Sequence, residues 1–176
     1  MKLLAFAASS SRNSINKTLA TYAASLVPNA DVEVLDLNDY EMPLYSADRE
    51  SELGHPALAK AFLAKIAQSD GLIISFAEHN GVYTAAYKNL FDWCSRIEKK
   101  VFQKKPAVFL STSPGARGGA SVLAAAVASA PFFDGDVKAS LAVPSFYDNF
   151  DMATKTLKDG DLKVQLIAAM KTLLAA

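Results

Sequence analysis

The 176-residue chain has a single cysteine, Cys94, and no net charge, with 18 Lys and Arg against 18 Asp and Glu. One thiol forms neither an internal disulfide nor a cysteine zinc cluster, and it fits residence in the reducing cytoplasm. Without surplus positive charge there is no bulk field to drive nucleic-acid binding through counterion release. Without surplus negative charge there is none of the steering field expected of a small acidic electron carrier. No apolar run approaches membrane-spanning length. The opening MKLLAFAASSSR mimics a signal peptide, but its apolar run, Leu3–Ala8, is too short for that role and reads as a buried first strand. The dinucleotide fingerprint G-x-G-x-x-G and the phosphate loop G-x-x-x-x-G-K-[ST] are both missing.

What is present is core material: 51% hydrophobic residues against 20% charged, which excludes global disorder. Short apolar runs at Leu3–Ala8, Val32–Leu37, Leu72–Ala77, Ala107–Leu110 and Val137–Val143 are nearly continuous, as strands covered on both faces are. Helix-period stretches separate them. Ile15, Leu19, Tyr22, Ala23 and Leu26 share one face, and Ala86, Leu90, Trp93, Cys94 and Ile97 repeat the spacing. Leu58, Phe62 and Ile66 mark another helix, with Pro56 at its first position. Residues 119–130 are Ala-rich and end at Pro131, and a last helix follows Gly160-Asp161 from Leu162 to Leu174. Five strands alternating with five helices predict an open parallel α/β sheet with helices on both faces. No repeat or linker divides residues 1–176, so one domain is expected. The longest stretch without regular pattern, Asn38–His55, reads as a lid or interface loop.

Ligands of such sheets bind beyond the carboxyl ends of the strands, at the switch point of strand order. Three loops lie there. Ser9-Ser10-Ser11-Arg12-Asn13-Ser14-Ile15-Asn16 places hydroxyls, amides and a guanidinium at a helix start, a suitable phosphate cradle; equally, Ser14 serves there as an ordinary helix cap. The second loop is Ala77-Glu78-His79-Asn80-Gly81-Val82-Tyr83. The third, Ser111-Thr112-Ser113-Pro114-Gly115-Ala116-Arg117-Gly118-Gly119, has glycines that let backbone approach a flat ligand.

The segments SSSRNSIN, AEHNGVYTAAYKNLFDW and STSPGARGG, in that order, resemble those of the NAD(P)H-dependent FMN reductases of flavodoxin-like fold, which include quinone, azo-dye and chromate reductases. The resemblance implies a three-layer sandwich around a five-stranded parallel sheet of order 2-1-3-4-5. It implies bound FMN, with its phosphate at Ser9, Ser11, Arg12, Ser14 and Asn16. Glu78, His79, Asn80 and Gly81 would meet the isoalloxazine ring, and Ser113, Gly115, Gly118 and Gly119 would border its pyrimidine side. It further implies NAD(P)H as a transient co-substrate in a ping-pong cycle, a small-molecule acceptor (a quinone, free flavin, azo compound or metal oxyanion), and a homodimer or tetramer. Members commonly have Pro-Glu-Tyr-Asn-Gly in the second loop, where this chain has Ala77 and His79. The alternative is a flavin-binding electron carrier or sensor without NAD(P)H oxidation. A receiver domain would need acids after the first strand, and Ser9–Ser14 has none.

Other conspicuous residues have plainer readings. His55 marks a helix start, Phe91 and Trp93 sit at core spacing, and Cys94 is a small buried apolar residue. Glu98–Lys105, with four lysines, reads as a solvated helix end. Phe146, Tyr147 and Phe150 suit either core closure or a subunit contact.

Overall fold

The computed structural model describes residues 1–175. Five parallel strands form the sheet: β1 (Lys2–Ala8), β2 (Asp31–Leu35), β3 (Gly71–Phe76), β4 (Pro106–Thr112) and β5 (Asp136–Val143). Their spatial order is β2-β1-β3-β4-β5, the flavodoxin-like order 2-1-3-4-5. The register runs Leu3 against Val32 and Gly71, then Leu72 against Ala107 and Ala107 against Val137. Among the described residues, seven α-helices accompany the sheet: α1 (Ile15–Ser25), α2 (Ala47–Leu53), α3 (Ala57–Gln68), α4 (Ala85–Ile97), α5 (Ala120–Ser129), α6 (Phe146–Asn149) and α7 (Asp161–Lys171).

Strand alternation sorts the core into two layers. Leu4, Phe6, Leu72, Ile74, Phe76 and Phe109 face α3, α4 and α5, packing on Phe62, Ile66, Leu90 and Val122. Leu3, Ala5, Ile73, Val108 and Leu110 face α1 and α7, against Leu19, Ala23, Leu166 and Met170. The three central strands are buried on both sides. β2 and β5, at the sheet edges, are half-exposed, and their polar residues Asp31, Glu33, Asp136, Lys138 and Ser140 take exposed positions while Val32, Val137, Ala139 and Leu141 pack against the core.

Several expectations need correction. β2 stops at Leu35, two residues early, because the Asp36 carboxylate accepts the Asn38 N–H and turns the chain into a 3₁₀ segment, Leu37–Tyr40. Lys17 donates to Asp36 at 2.5 Å, and this bond, with the Asn38 contacts, holds the carboxyl below its usual range. The stretch 38–55 is ordered rather than irregular. It contains that segment and α2, and α4 staples it down. Asn89 Nδ2 donates to the carbonyls of Met42 and Pro43, Asn89 Oδ1 accepts the Tyr45 N–H at 2.8 Å, and Trp93 Nε1 donates to Pro43 O. Glu50 of α2 accepts from Arg96 at 2.9 Å and from Tyr45, with His55 at 3.3 Å. Desolvation pushes the Glu50 carboxyl up, but these partners together keep it below its ordinary value.

Pro56 caps α3 rather than opening it. The lysine-rich stretch after α4 is not a solvated helix end: Val101 and Phe102 are buried within it, and the Phe102 N–H donates to Phe133 O. Phe146 and Phe150 stack at 4.8 Å within the α1-side core, whereas Tyr147 is exposed. Cys94 is fully buried, and burial pushes its thiol up to about 12. Among the described residues, no helix is long and apolar enough to cross a membrane.

Candidate functional site

The switch point lies between β1 and β3, since the chain leaves β1 toward β2 on one side and continues from β3 to β5 on the other. The loop after β1 turns directly into α1. Ser14 caps that helix, its Oγ accepting the Lys17 N–H at 3.2 Å while its carbonyl accepts Thr18 N–H. Ser9 Oγ accepts the Ser11 N–H. The N–H groups of Ile15 and Asn16 find no acceptor among the described residues, so two donors stand open at the positive end of the helix.

They open on a cavity of about 230 Å³ bounded by all three loops. Of the sequence-predicted residues, Ser9, Ser11, Ser14, Asn16, Glu78, His79 and Ser113 line it. Arg12 instead lines an adjoining groove, and Asn80, Gly81, Gly115, Gly118 and Gly119 stand outside the lining. Asn13, Ile15, Ala77, Thr112 and Pro114, from the same three loops, complete the lining with Tyr147, which the sequence did not point to. Tyr147 arrives from the segment after β5, too far along the chain for any local motif to show.

Asn16 does not offer its side chain to a ligand. It is 3% exposed. Its Nδ2 donates to Thr112 O at 3.0 Å, and its Oδ1 accepts Thr112 N–H at 3.0 Å and the Ser75 hydroxyl at 2.7 Å. The amide therefore clamps the ends of β3 and β4 beneath the cavity. Only its backbone N–H remains available to a phosphate.

The second loop is a hairpin pairing Glu78 with Tyr83 and His79 with Val82. Asn80 (φ 53°) and Gly81 (φ 84°) form its two-residue turn, the conformation that Asn-Gly favours between short antiparallel strands. The hairpin presents the exposed His79 ring at the rim. Glu78 turns the other way, and its Oε2 accepts the Val122 N–H at 2.9 Å in the first turn of α5. A carboxylate thus already faces the positive end of that helix. Thr84 roots the hairpin's far end: its buried hydroxyl donates to Ala8 O at 2.9 Å and accepts the Tyr87 N–H.

The third loop is laced to the segment after β5. Gly115 O accepts N–H groups from Gly118 and Ser145, and Ser113 O accepts that of Phe146 at 3.0 Å. Thr112 Oγ1 donates to Val143 O, and Ser111 Oγ donates to Gly118 O, each at 2.7 Å. The Gly118 requirement is internal. At φ +58° its missing Cβ would fall 2.7 Å from the Val143 carbonyl, so the glycine admits neighbouring backbone rather than a flat ligand. Gly119 is likewise buried, and a Cβ there would fall 3.1 Å from Ser111 Cβ.

The site is thus a small polar cradle of hydroxyls and open N–H donors at a sheet switch point. An exposed imidazole and a rigid glycine loop border it. A separate cavity of about 190 Å³ between α4 and α5 is lined mainly by aromatic rings and has no comparable donor set.

The family described as NADPH-dependent FMN reductase matches residues 1–145. Among curated relatives, the chain is 38% identical over 120 residues to a 2-hydroxy-1,4-benzoquinone reductase of Burkholderia sp., covering 67% of this chain and 63% of that one. It is 32% identical over 119 residues to an NAD(P)H-dependent FMN reductase of Pseudomonas aeruginosa, with the same coverages of 67% and 63%. The matched region therefore spans less than two thirds of those relatives. Among solved structures, the fold is similar to that of a flavoenzyme NAD(P)H:(acceptor) oxidoreductase from Paracoccus denitrificans. That similarity has a TM-score of 0.79 and 20% identity over 99% of this chain and 97% of the other. With the family match running from the first strand through the third loop, the chain belongs to the NADPH-dependent FMN reductase family.

Proposed function

We propose that this chain is an NAD(P)H-dependent FMN reductase acting in the cytoplasm on a small-molecule acceptor. The observation that carries the reading is the pair of uncommitted N–H donors of Ile15 and Asn16, opening beside Ser9, Ser11 and Ser14 on a cavity at the switch point. A phosphate monoester is an acceptor-rich dianion and suits that donor set. Bound there, FMN would supply hydride acceptance from NAD(P)H and electron delivery to a quinone, free flavin, azo compound or metal oxyanion in ping-pong order.

The chain's own contribution is to bind and orient. Ser9, Ser11 and Ser14 supplement the helix donors at the phosphate. The hairpin at Glu78–Tyr83 forms one wall, with the His79 imidazole at the rim where an acceptor would approach. The loop Ser113–Gly119, tied to Ser145 and Phe146, forms the opposite wall and cannot readily collapse into the cavity. Glu78 is committed to α5, so it positions that helix and handles no proton. The reading includes self-association into a dimer or tetramer, supported by the family resemblance and by the exposed Phe132.

The test is an absorbance spectrum of the purified chain with FMN, before and after anaerobic NADPH or NADH. Binding with bleaching of the flavin band is expected. Failure to bind FMN refutes the reading. Binding without bleaching by either nucleotide identifies a carrier or sensor instead.

A further inference from the structure

The chain has two histidines, and the fold places them differently. His55 lies 3.3 Å from Glu50, a carboxylate that also accepts from Arg96. His79 stands exposed in the lining of the cradle and enters no ion pair among the described residues.

The ring of His79 is open, but its mounting is stiff. Glu78 and His79 are consecutive strand residues, so their side chains project to opposite faces of the hairpin. Glu78 is fastened to the Val122 N–H of α5, which leaves the imidazole to the other side, at the cavity rim. The Asn80-Gly81 turn closes the ribbon directly after it, and Thr84 anchors the returning strand to Ala8 O. The imidazole is thus held in one place while remaining in contact with water, which can replace a proton that it gives up.

No other group of the three loops offers a proton so readily. The lining hydroxyls of Ser9, Ser11, Ser14, Thr112 and Ser113 are very weak acids. Glu78 is committed as an acceptor, Tyr83 shares its hydroxyl with Ser129 at 3.2 Å, and the phenol of Tyr147 is a far weaker acid than an imidazolium. Arg12 lies in an adjoining groove, Arg117 donates to Ser121 Oγ, and Lys17 is paired with Asp36; a guanidinium does not release its proton in proteins. Imidazole is the side chain that ordinarily changes charge between pH 5 and 8.

We propose that the imidazolium of His79 is the proton donor when a quinone is reduced in this site. The proposal rests on the flavin-binding reading of the cradle, which supplies the hydride. A quinone that takes up a hydride at one carbonyl oxygen becomes aromatic and gathers negative charge on the other oxygen. That aryloxide takes the proton from His79, an O–H bond forming as an N–H bond breaks, and the neutral ring regains a proton from water. Quinone, hydride and proton together make the hydroquinone, with no charge left over. An acceptor that takes electrons without protons has no use for the ring.

The test reduces the FMN-loaded chain anaerobically with NADPH or NADH and then mixes it with a methylated benzoquinone or with ferricyanide, which accepts an electron and no proton. In His79→Gln, quinone reduction should slow by about tenfold or more, while ferricyanide reduction and FMN affinity stay within about twofold. Free imidazole should restore part of the rate lost in His79→Ala. In the unaltered chain the quinone rate should fall as pH rises from about 5 to 8 and the ring loses its proton, and this dependence should vanish in His79→Gln. A second readout needs no turnover. Comparison with His79→Gln assigns the two histidine signals in a proton NMR spectrum, and hydroquinone added to the oxidised, FMN-loaded chain should shift that of His79 alone. Equal slowing with quinone and ferricyanide overturns the proposal, as does a His79 signal that hydroquinone does not move. A chain that binds no FMN refutes the cradle reading itself. Normal FMN binding with a quinone rate indifferent to His79 leaves that reading intact and overturns only the proton donor.

Discussion

Replacing Asn16 with alanine separates two roles for one residue, ligand to a phosphate or clamp within the sheet. The side chain satisfies Thr112 N–H, Thr112 C=O and the Ser75 hydroxyl, all buried. Truncation orphans the two backbone groups and frees a hydroxyl. At about 1–3 kcal/mol for each unsatisfied buried group, with water entering from the nearby cradle to moderate the loss, Asn16→Ala should cost about 3–5 kcal/mol. For a chain of this length that lowers Tm by about 6–20 °C. The assay is urea or thermal unfolding of the flavin-free chain, where no cofactor contact contributes. Asn16→Asp is the sharper companion. It keeps an acceptor for Thr112 N–H and Ser75 but turns a carboxylate oxygen toward the Thr112 carbonyl. Burial should raise that carboxyl above its unfolded value of about 3.9, so its stability is present below that pH and lost as pH rises through the folded value. A flavin-free Asn16→Ala chain as stable as the parent, yet weakened in FMN affinity, would refute the clamp.

Four further outcomes follow from the same geometry. Gly118→Ala should lose about 2–5 kcal/mol, from positive φ and overlap with the Val143 carbonyl, whereas Gly81→Ala, with φ positive but nothing near its Cβ, should lose only about 1–2; equal losses in denaturant melts would contradict this. Ser14→Ala removes both the α1 cap and a cradle hydroxyl, so stability should fall by about 0.5–2 kcal/mol and FMN affinity by about tenfold or more, checked by melting and by titration. His79→Tyr should retain flavin but alter turnover or acceptor preference, and identical steady-state kinetics over several acceptors would count against a rim role. Cys94 should resist thiol reagents at pH 8 until the chain unfolds. Because its folded value of about 12 exceeds the ordinary value near 9, its stabilising contribution is complete below about pH 9 and is lost as pH climbs toward 12.

The sheet and its five main helices were legible because continuous apolar runs and 3.6-residue periodicity record burial directly. What escaped notice depends on contacts between distant segments. α2 buries none of its residues, so it leaves no periodic signal. The stretch around it is ordered by Asn89 and Trp93, more than 40 residues away. The stretch 78–83 reads in the sequence only as a loop, although Asn80-Gly81 suits a hairpin turn, because strands of two residues are too short to display alternation. Val101 and Phe102 were masked by the surrounding lysines. The three cradle loops were identifiable because each follows a central strand. The duties within them were not: Asn16 points down into the sheet, Glu78 points to α5, and Gly118 makes room for Val143.

The fastening of the three loops at their bases bears on how this chain could change. Asn16, Thr84, Ser111 and Thr112 hold the roots by buried hydrogen bonds. Ser10, His79, Asn80, Ala116 and Arg117 stand exposed at the tips. Most exposed substitutions away from such fastenings shift stability by no more than about 0.5 kcal/mol. On the proposed reading, a lineage carrying this scaffold would therefore explore new acceptors one tip residue at a time, each intermediate still folded. Diversification of substrate range becomes a short walk over viable sequences, while the roots, where a single change is expensive, set the boundary of that walk.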